Sequence, residues 1–327
     1  MRRVAVVFTG GTISMEADPL AGGNVPTLDG AGILARTEGL AGIAEVVPID
    51  RGLTPASHFT FPDLLAISTT LEALSADATI DGVVVVQGTD TLEETAFCWD
   101  LLHAGPTPVV VTGAMRSASE SGYDGPANLR DAVRVAAHPS LAEQGVVVVL
   151  DHAIHPADDV TKTHAAALDT FQSLNDGRLG FVEEGIVVLE RRRVARRHVD
   201  TDRASERIGL VMAAVAMDGT PIAALAALGL DGLVVAATGA GNTSPGLLAE
   251  AVRLIEAGIP VVLATRTAAG RAGTGYAFPG GGATWVRAGA ILAGSLSAPK
   301  ARIALALGVG AGLDHDGLAA LLSDARP

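Results

Sequence analysis

The chain has 327 residues, of which 49% are hydrophobic but only 3% aromatic, and a formal charge of −13 at pH 7. The length corresponds to about two domains, and an interior built from Ala, Val, Leu and Ile with little aromatic bulk suits buried parallel strands covered by helices. A strongly negative chain repels a phosphate backbone, which excludes nucleic acid as the partner; the one basic run, Arg191 to Arg197, is brief, has no interleaved aromatics and reads as a solvated linker. The apolar block Ile208 to Met217 is too short to span a bilayer, and the uncharged stretch from Gly232 to Ala249 is broken by Gly, Asn, Ser and Pro, so no membrane partner is expected. The single cysteine, Cys98, can form neither an internal disulfide nor a zinc cage, and no apolar signal segment precedes the first strand, which makes a cytoplasmic location the expectation.

In chain order, Val-rich runs bounded by Gly and Asp predict strands at Val4 to Phe8, Val83 to Gln87, Val109 to Thr112, Val146 to Leu150, Leu233 to Ala236 and Val261 to Thr265. Their apolar character is continuous rather than alternating, the mark of strands buried on both faces. Helix-like stretches fall between them at Thr91 to His103, Pro126 to His138 and Pro245 to Ala257. Two have readable starts: Asp90-Thr91 with Glu93 and Glu94 offers capping oxygens and first-turn acids, and Ser244-Pro245 offers an N-cap followed by proline. Strand then helix, repeated, predicts an α/β fold: a doubly wound N-terminal domain over 1–190, a charged linker over 191–207 and a smaller C-terminal α/β domain over 208–327.

Ligands of open α/β sheets bind at the carboxyl ends of strands, so chemistry is sought just after the Val runs. After the first comes Thr9-Gly10-Gly11-Thr12, where two glycines permit a sharp turn that exposes a hydroxyl beside backbone N–H groups. It is neither a P-loop nor a dinucleotide-binding fingerprint. After the second comes Gly88-Thr89-Asp90-Thr91, a hydroxyl and a carboxylate adjacent at a helix start. The chain has only two lysines, Lys162 and Lys300, against arginine everywhere else. Lysine can surrender its proton when desolvated or near another cation and arginine cannot, so Lys162 in Asp159-Val160-Thr161-Lys162-Thr163 is a candidate for base work. The set Asp151, His152, His155, Asp158, Asp159 and His164 has the residue types of a metal site but no metal-ligand spacing, and is assigned to structure. Cys98 lies between Phe97 and Trp99 and reads as a buried structural thiol.

Taken together, Thr9-Gly10-Gly11-Thr12-Ile13, Gln87-Gly88-Thr89-Asp90-Thr91-Leu92-Glu93-Glu94-Thr95, Thr112-Gly113-Ala114-Met115-Arg116, Asp124-Gly125-Pro126-Ala127-Asn128-Leu129 and Asp159-Val160-Thr161-Lys162-Thr163 resemble the bacterial-type L-asparaginase family, in order and from residue 4 to about residue 308. The resemblance implies a homotetramer or homodimer with active sites between subunits, a small-molecule substrate, L-asparagine, and no cofactor or metal. It implies Thr12 as the first nucleophile candidate and Thr89, Lys162 and Asp90 as a second activated threonine system, with the order in which the two threonines act left open. Asp90 would also face the substrate ammonium, Ser57 the α-carboxylate, and backbone groups at Gly11, Thr89 and Ala114 the rest of the pocket, with Asn242 contributed across a subunit interface. Three positions depart from the family pattern: Val25 stands where a loop tyrosine is expected, no Asp or Glu lies between Ala257 and Leu313, and His58 stands where glutamine is usual. The acids left near Thr12 are Glu16 and Asp18; either a loop from Met15 to Pro26 hinged at Gly22 and Gly23 closes and brings one of them toward the hydroxyl, or both are solvated loop charges and Lys162 with Thr89 sustains a slow reaction alone. A related amidase of different specificity, or an amino-acid sensor with weak activity, is the alternative.

Overall fold

The structure, a computed structural model, describes residues 1–323. The chain folds as two compact units, Met1–Arg196 and a second from Arg197 onward. Strands of the first unit are β1 (Arg3–Phe8), the hairpin β2 (Met15–Asp18) and β3 (Gly23–Pro26), β4 (Glu45–Asp50), β5 (Gly82–Val86), β6 (Val109–Thr112), β7 (Val146–Leu150), β8 (Ala153–Pro156), the ribbon β9 (Val160–Lys162) and β10 (Phe171–Ser173), β11 (Gly180–Glu183) and β12 (Ile186–Leu189). Eight of them form one sheet in the order β12-β11-β8-β7-β6-β5-β1-β4. From β4 to β7 the pairings are parallel, and β8, β11 and β12 extend the sheet antiparallel.

The Val runs explain this arrangement. Val83, Val84, Val85 and Val86 of β5 are all fully buried, as are the valines of β1 and β6. At about 1.5–3 kcal/mol for each buried valine, only strands covered on both faces recover that burial, and helices supply the cover. These are α1 (Gly30–Ala35), α2 (Phe61–Ala76), α3 (Leu92–Leu102) and α4 (Gly125–Ala136). From β1 the chain crosses to β4 on one side and returns to β5 on the other, so the β1–β5 boundary is the topological switch point where such sheets hold ligands.

Three local expectations change. Thr91 is the residue before α3, but neither it nor Asp90 caps the helix with its side chain; the Thr91 hydroxyl instead donates to the Ala56 carbonyl at 3.0 Å. The segment from Met15 to Pro26 is a paired β-hairpin with Glu16 opposite Val25, not an irregular loop. And the arginine run is no solvated segment. Asp100, fully buried, takes a two-pronged contact from Arg193 at 2.9 and 2.7 Å, an Arg196 contact at 3.3 Å and the Val146 amide at 2.9 Å, while Asp158 holds Arg193 at 3.1 Å. Arginine's planar fork suits such bidentate burial, and it is α3 that presents the acid.

In the second unit, β13 (Ile208–Met212), β14 (Gly232–Ala237), β15 (Val261–Thr265) and β16 (Ile291–Leu292) form a parallel sheet in that order. Its helices are α5 (Thr220–Ala226), α6 (Pro245–Glu256), α7 (Gly282–Arg287), α8 (Ala298–Gly310) and α9 (His315–Leu322). Ser244 caps α6 as its sequence indicates, accepting from the Leu247 amide at 3.3 Å ahead of Pro245. Among the described residues, no helix is long and apolar enough to cross a membrane.

Candidate active site

Three strand ends of the first unit meet at the switch point. Beyond β1 the chain turns through Gly10 and Gly11, and Gly11 holds a φ of +96°. A Cβ there would stand 2.1 Å from the Gly88 amide nitrogen, so only glycine lets the Thr12 segment lie against the Thr89 segment beyond β5. Beyond β6, a Cβ on Gly113 would meet the Gln87 carbonyl at 2.4 Å and the Thr89 methyl at 3.3 Å, which brings Ala114 beside the same segment. Ala114 itself is fully buried.

Asp124 and Asn128 hold that third loop. Asp124 accepts from the Met115 and Arg116 amides at 3.0 and 2.9 Å, and Asn128 donates from Nδ2 to the Gly113 carbonyl at 3.0 Å and to Asp124 at 2.9 Å. Asn128 Oδ1 also accepts from the Asp151 amide at 3.1 Å. Both sit at the start of α4, one helical turn apart, and each satisfies backbone groups that the end of β6 leaves unpaired.

Thr89 is buried, and its Oγ1 accepts from Lys162 Nζ at 2.9 Å; the same amine lies 3.2 Å from Asp90 Oδ1. The Lys162 side chain is 15% exposed and that of Asp90 73%, so the amine sits at the edge of the interior with the acid reaching outward from it. Three of the four residues expected to be catalytic are thus brought together. Thr12, the fourth, begins a one-turn segment from Thr12 to Ser14 and is half-buried, and its hydroxyl has no hydrogen-bond partner among the described residues. Ser57 and His58 are exposed on the one-turn helix Ala56–His58, which Thr91 ties to the Thr89 segment through the Ala56 carbonyl.

Asn242 belongs to the second unit. It closes the turn after β14, where Thr238 and Asn242 exchange backbone hydrogen bonds at 2.9 Å. Its Oδ1 is buried and, among the described residues, has no hydrogen-bond partner.

Neither candidate acid stands free beside Thr12. Glu16 accepts from the Thr27 hydroxyl at 2.9 Å and from Arg36 at 2.7 Å, and these bonds, Thr27 first, hold its carboxyl below the usual carboxylate range. Asp18 accepts from the Leu20 and Ala21 amides in the hairpin turn. Tyr123 is what the sequence reasoning missed near this segment. Its hydroxyl donates to the Ile13 carbonyl at 2.6 Å, and burial raises its pKa.

The His and Asp set divides among separate partners. His152 pairs with Asp131 at 2.7 Å, His155 with Ser173 at 2.9 Å, Asp158 with Arg193, and Asp159 with the Asn175 and Asp176 amides. Among the described residues, no three His, Cys, Asp or Glu side chains converge on a metal position. Cys98 is buried on α3, and burial pushes its thiol up to about 12, which leaves it inert as a nucleophile.

Fold and cluster together define an α/β protein whose candidate site, at the sheet's switch point, sets a threonine hydroxyl against a lysine amine and a carboxylate. A family model described as "Asparaginase, N-terminal" matches residues 3–195, and one described as "Glutaminase/Asparaginase C-terminal domain" matches residues 207–322. The chain belongs to the asparaginase family. It is 38% identical to the probable L-asparaginase of Deinococcus radiodurans over 93% of this chain and 91% of that one, and 32% identical to the L-asparaginase of Bacillus licheniformis over 94% and 95%. The solved structure of a probable cytoplasmic L-asparaginase from Campylobacter jejuni matches with a TM-score of 0.87 at 26% identity, over 98% of this chain and 99% of that one.

Proposed function

We propose that this protein hydrolyses the side-chain amide of L-asparagine to L-aspartate and ammonia, with L-glutamine as a secondary substrate. The Lys162 amine 2.9 Å from the buried Thr89 hydroxyl carries the reading, because it pairs a nucleophile-type group with a base at the place where this sheet topology holds ligands. Thr12 Oγ attacks the amide carbon, the carbon–nitrogen bond breaks, and the hydroxyl proton leaves with the nitrogen as ammonia. Water then adds to the acyl-enzyme, releasing the carboxylate and restoring the hydroxyl. Thr89, with Lys162 as its base, moves the proton in these steps. Backbone N–H groups at Gly11, Thr89 and Ala114 face the developing oxyanion.

The outward-facing Asp90 carboxylate receives the substrate ammonium, and Ser57 its α-carboxylate. His58 sets a titratable ring beside that ammonium. Asn242 adds its buried acceptor from a neighbouring subunit, in a homotetramer or homodimer acting in the cytoplasm. Ammonia release by purified protein given L-asparagine, and separately L-glutamine, is the test. Turnover of asparagine above glutamine is expected; thermal stabilisation by asparagine with no ammonia released would make the protein a sensor instead.

A further inference from the structure

Lys162 stands on a short strand outside the main sheet. β9 is three residues long and pairs with β10 alone, in a ribbon outside the eight-stranded sheet. A two-stranded ribbon of this kind has little rigidity of its own, and lysine reaches its amine through a flexible four-carbon stem. Where the amine arrives therefore depends on how the backbone at its root is anchored.

One carboxylate oxygen supplies the anchor. Glu93 Oε2 accepts from the Lys162 amide at 2.9 Å and also from the Thr161 hydroxyl, so two consecutive residues of β9 hang on a single atom. Glu93 lies in the first turn of α3, and Thr89 and Asp90 are the chain leading directly into that helix. The nucleophile-type threonine and the acid that holds the lysine's backbone thus ride on one continuous segment. A first-turn acid already has a reason to exist in the helix dipole, but the dipole does not call for two donors from another element.

We infer that Glu93 is a positioning residue, which fixes β9 against α3 and so sets the Lys162 amine on the Thr89 hydroxyl. The inference rests on the catalytic reading of Thr89 and Lys162 given above. Its mode of action is geometric: the carboxylate touches the lysine's backbone and not its amine, so the acceptor oxygen matters rather than the charge.

The test compares wild type with Glu93→Ala, Glu93→Gln and Thr161→Val, in asparagine turnover and in crystal structures of each variant. Glu93→Ala is expected to lower kcat about 100-fold with KM little changed, the scale at which a misplacement of about 1 Å acts. Glu93→Gln keeps an oxygen that accepts both donors and recovers most of that loss, while Thr161→Val, which removes one donor, falls between. In the crystals, the Lys162–Thr89 contact is lost in the alanine variant and kept in the glutamine variant. Wild-type kcat in Glu93→Ala, an intact contact in its crystal, or a glutamine variant as impaired as alanine overturns the inference. Should Glu93→Ala not fold, Thr161→Val decides it: unchanged kcat together with an unchanged Lys162–Thr89 distance counts against. If wild type releases no ammonia from asparagine, the catalytic reading fails by itself, and the crystal contact alone decides the role of Glu93.

Discussion

The two threonines lie on adjacent loops at one switch point, and the fold treats them in opposite ways. Thr89 is buried, receives the Lys162 amine, and stands at the head of a helix whose first-turn acid holds the lysine's backbone. Thr12 follows two glycines, its hydroxyl is unpaired among the described residues, and the nearby acids are bound to Thr27, Arg36 and the hairpin turn. The difference supports the proposed roles. A base has to be placed before substrate arrives, whereas an attacking hydroxyl has to be able to turn toward a carbon that arrives with the substrate.

The largest expected effect sharpens that contrast. Thr12→Ala removes the attacking oxygen and lowers asparagine turnover by about 10⁴-fold or more, the scale of nucleophile deletion, while asparagine still raises the melting temperature. Turnover close to wild type would transfer the attack to Thr89. Tyr123→Phe comes next: losing the bond to the Ile13 carbonyl costs about 1 kcal/mol in denaturant unfolding and slows turnover modestly, since the glycine turn and the Ser14 bonds to the Gly11 carbonyl remain. A collapse of turnover in this variant would mean that the Thr12 segment depends on a rigid support that the contrast denies it.

Glu16→Gln and Asp18→Asn are expected to leave turnover of asparagine unchanged, because the first carboxylate is already engaged by Thr27 and Arg36 and the second by the hairpin turn. A fall of about 100-fold in either, the size of a general-base contribution, would restore a loop acid as the base for Thr12. The smallest effect probes the stiffness of the Thr89 side. Cys98 lies on α3 with its thiol pushed up to about 12 by burial, so native protein at pH 8 resists alkylation and labels only on unfolding. The sign follows from the raised folded-state value: the folded thiol keeps a proton that the unfolded thiol, at about 8.5, gives up, so this contribution to stability is complete below that pH and is lost as pH rises toward 12. Rapid labelling at pH 8 without global unfolding would show that α3 opens locally.

The parallel sheet was legible because strands buried on both faces leave unbroken Val runs, and the segments that carry the candidate site were legible because ligand-facing loops follow such runs, whereas the strand order that places the switch point was not. The Thr89–Lys162 pair was legible only through resemblance and the scarcity of lysine, since the two residues are 73 apart and no local spacing links them. Glu93 was hidden by having a sufficient local reason, the helix dipole, that masked its contact with β9. The arginine run misled for a related cause: charge clusters usually face water, and only the burial of Asp100, 93 residues before Arg193, turns one into an interior anchor. The hairpin at Met15 to Pro26 lacked strong alternation, so its two glycines read as hinges when they lie at the turn and the start of β3.

The central claim is that Lys162 acts on Thr89 as a catalytic pair, and the direct test is ammonia release from L-asparagine by Lys162→Met and Thr89→Val beside wild type, with melting temperature as the control for folding. Each variant is expected to melt like wild type and to lose about 10²–10⁴-fold in kcat, the range for removal of a positioned base or its partner. A folded Lys162→Met protein that hydrolyses asparagine at the wild-type rate would contradict the account.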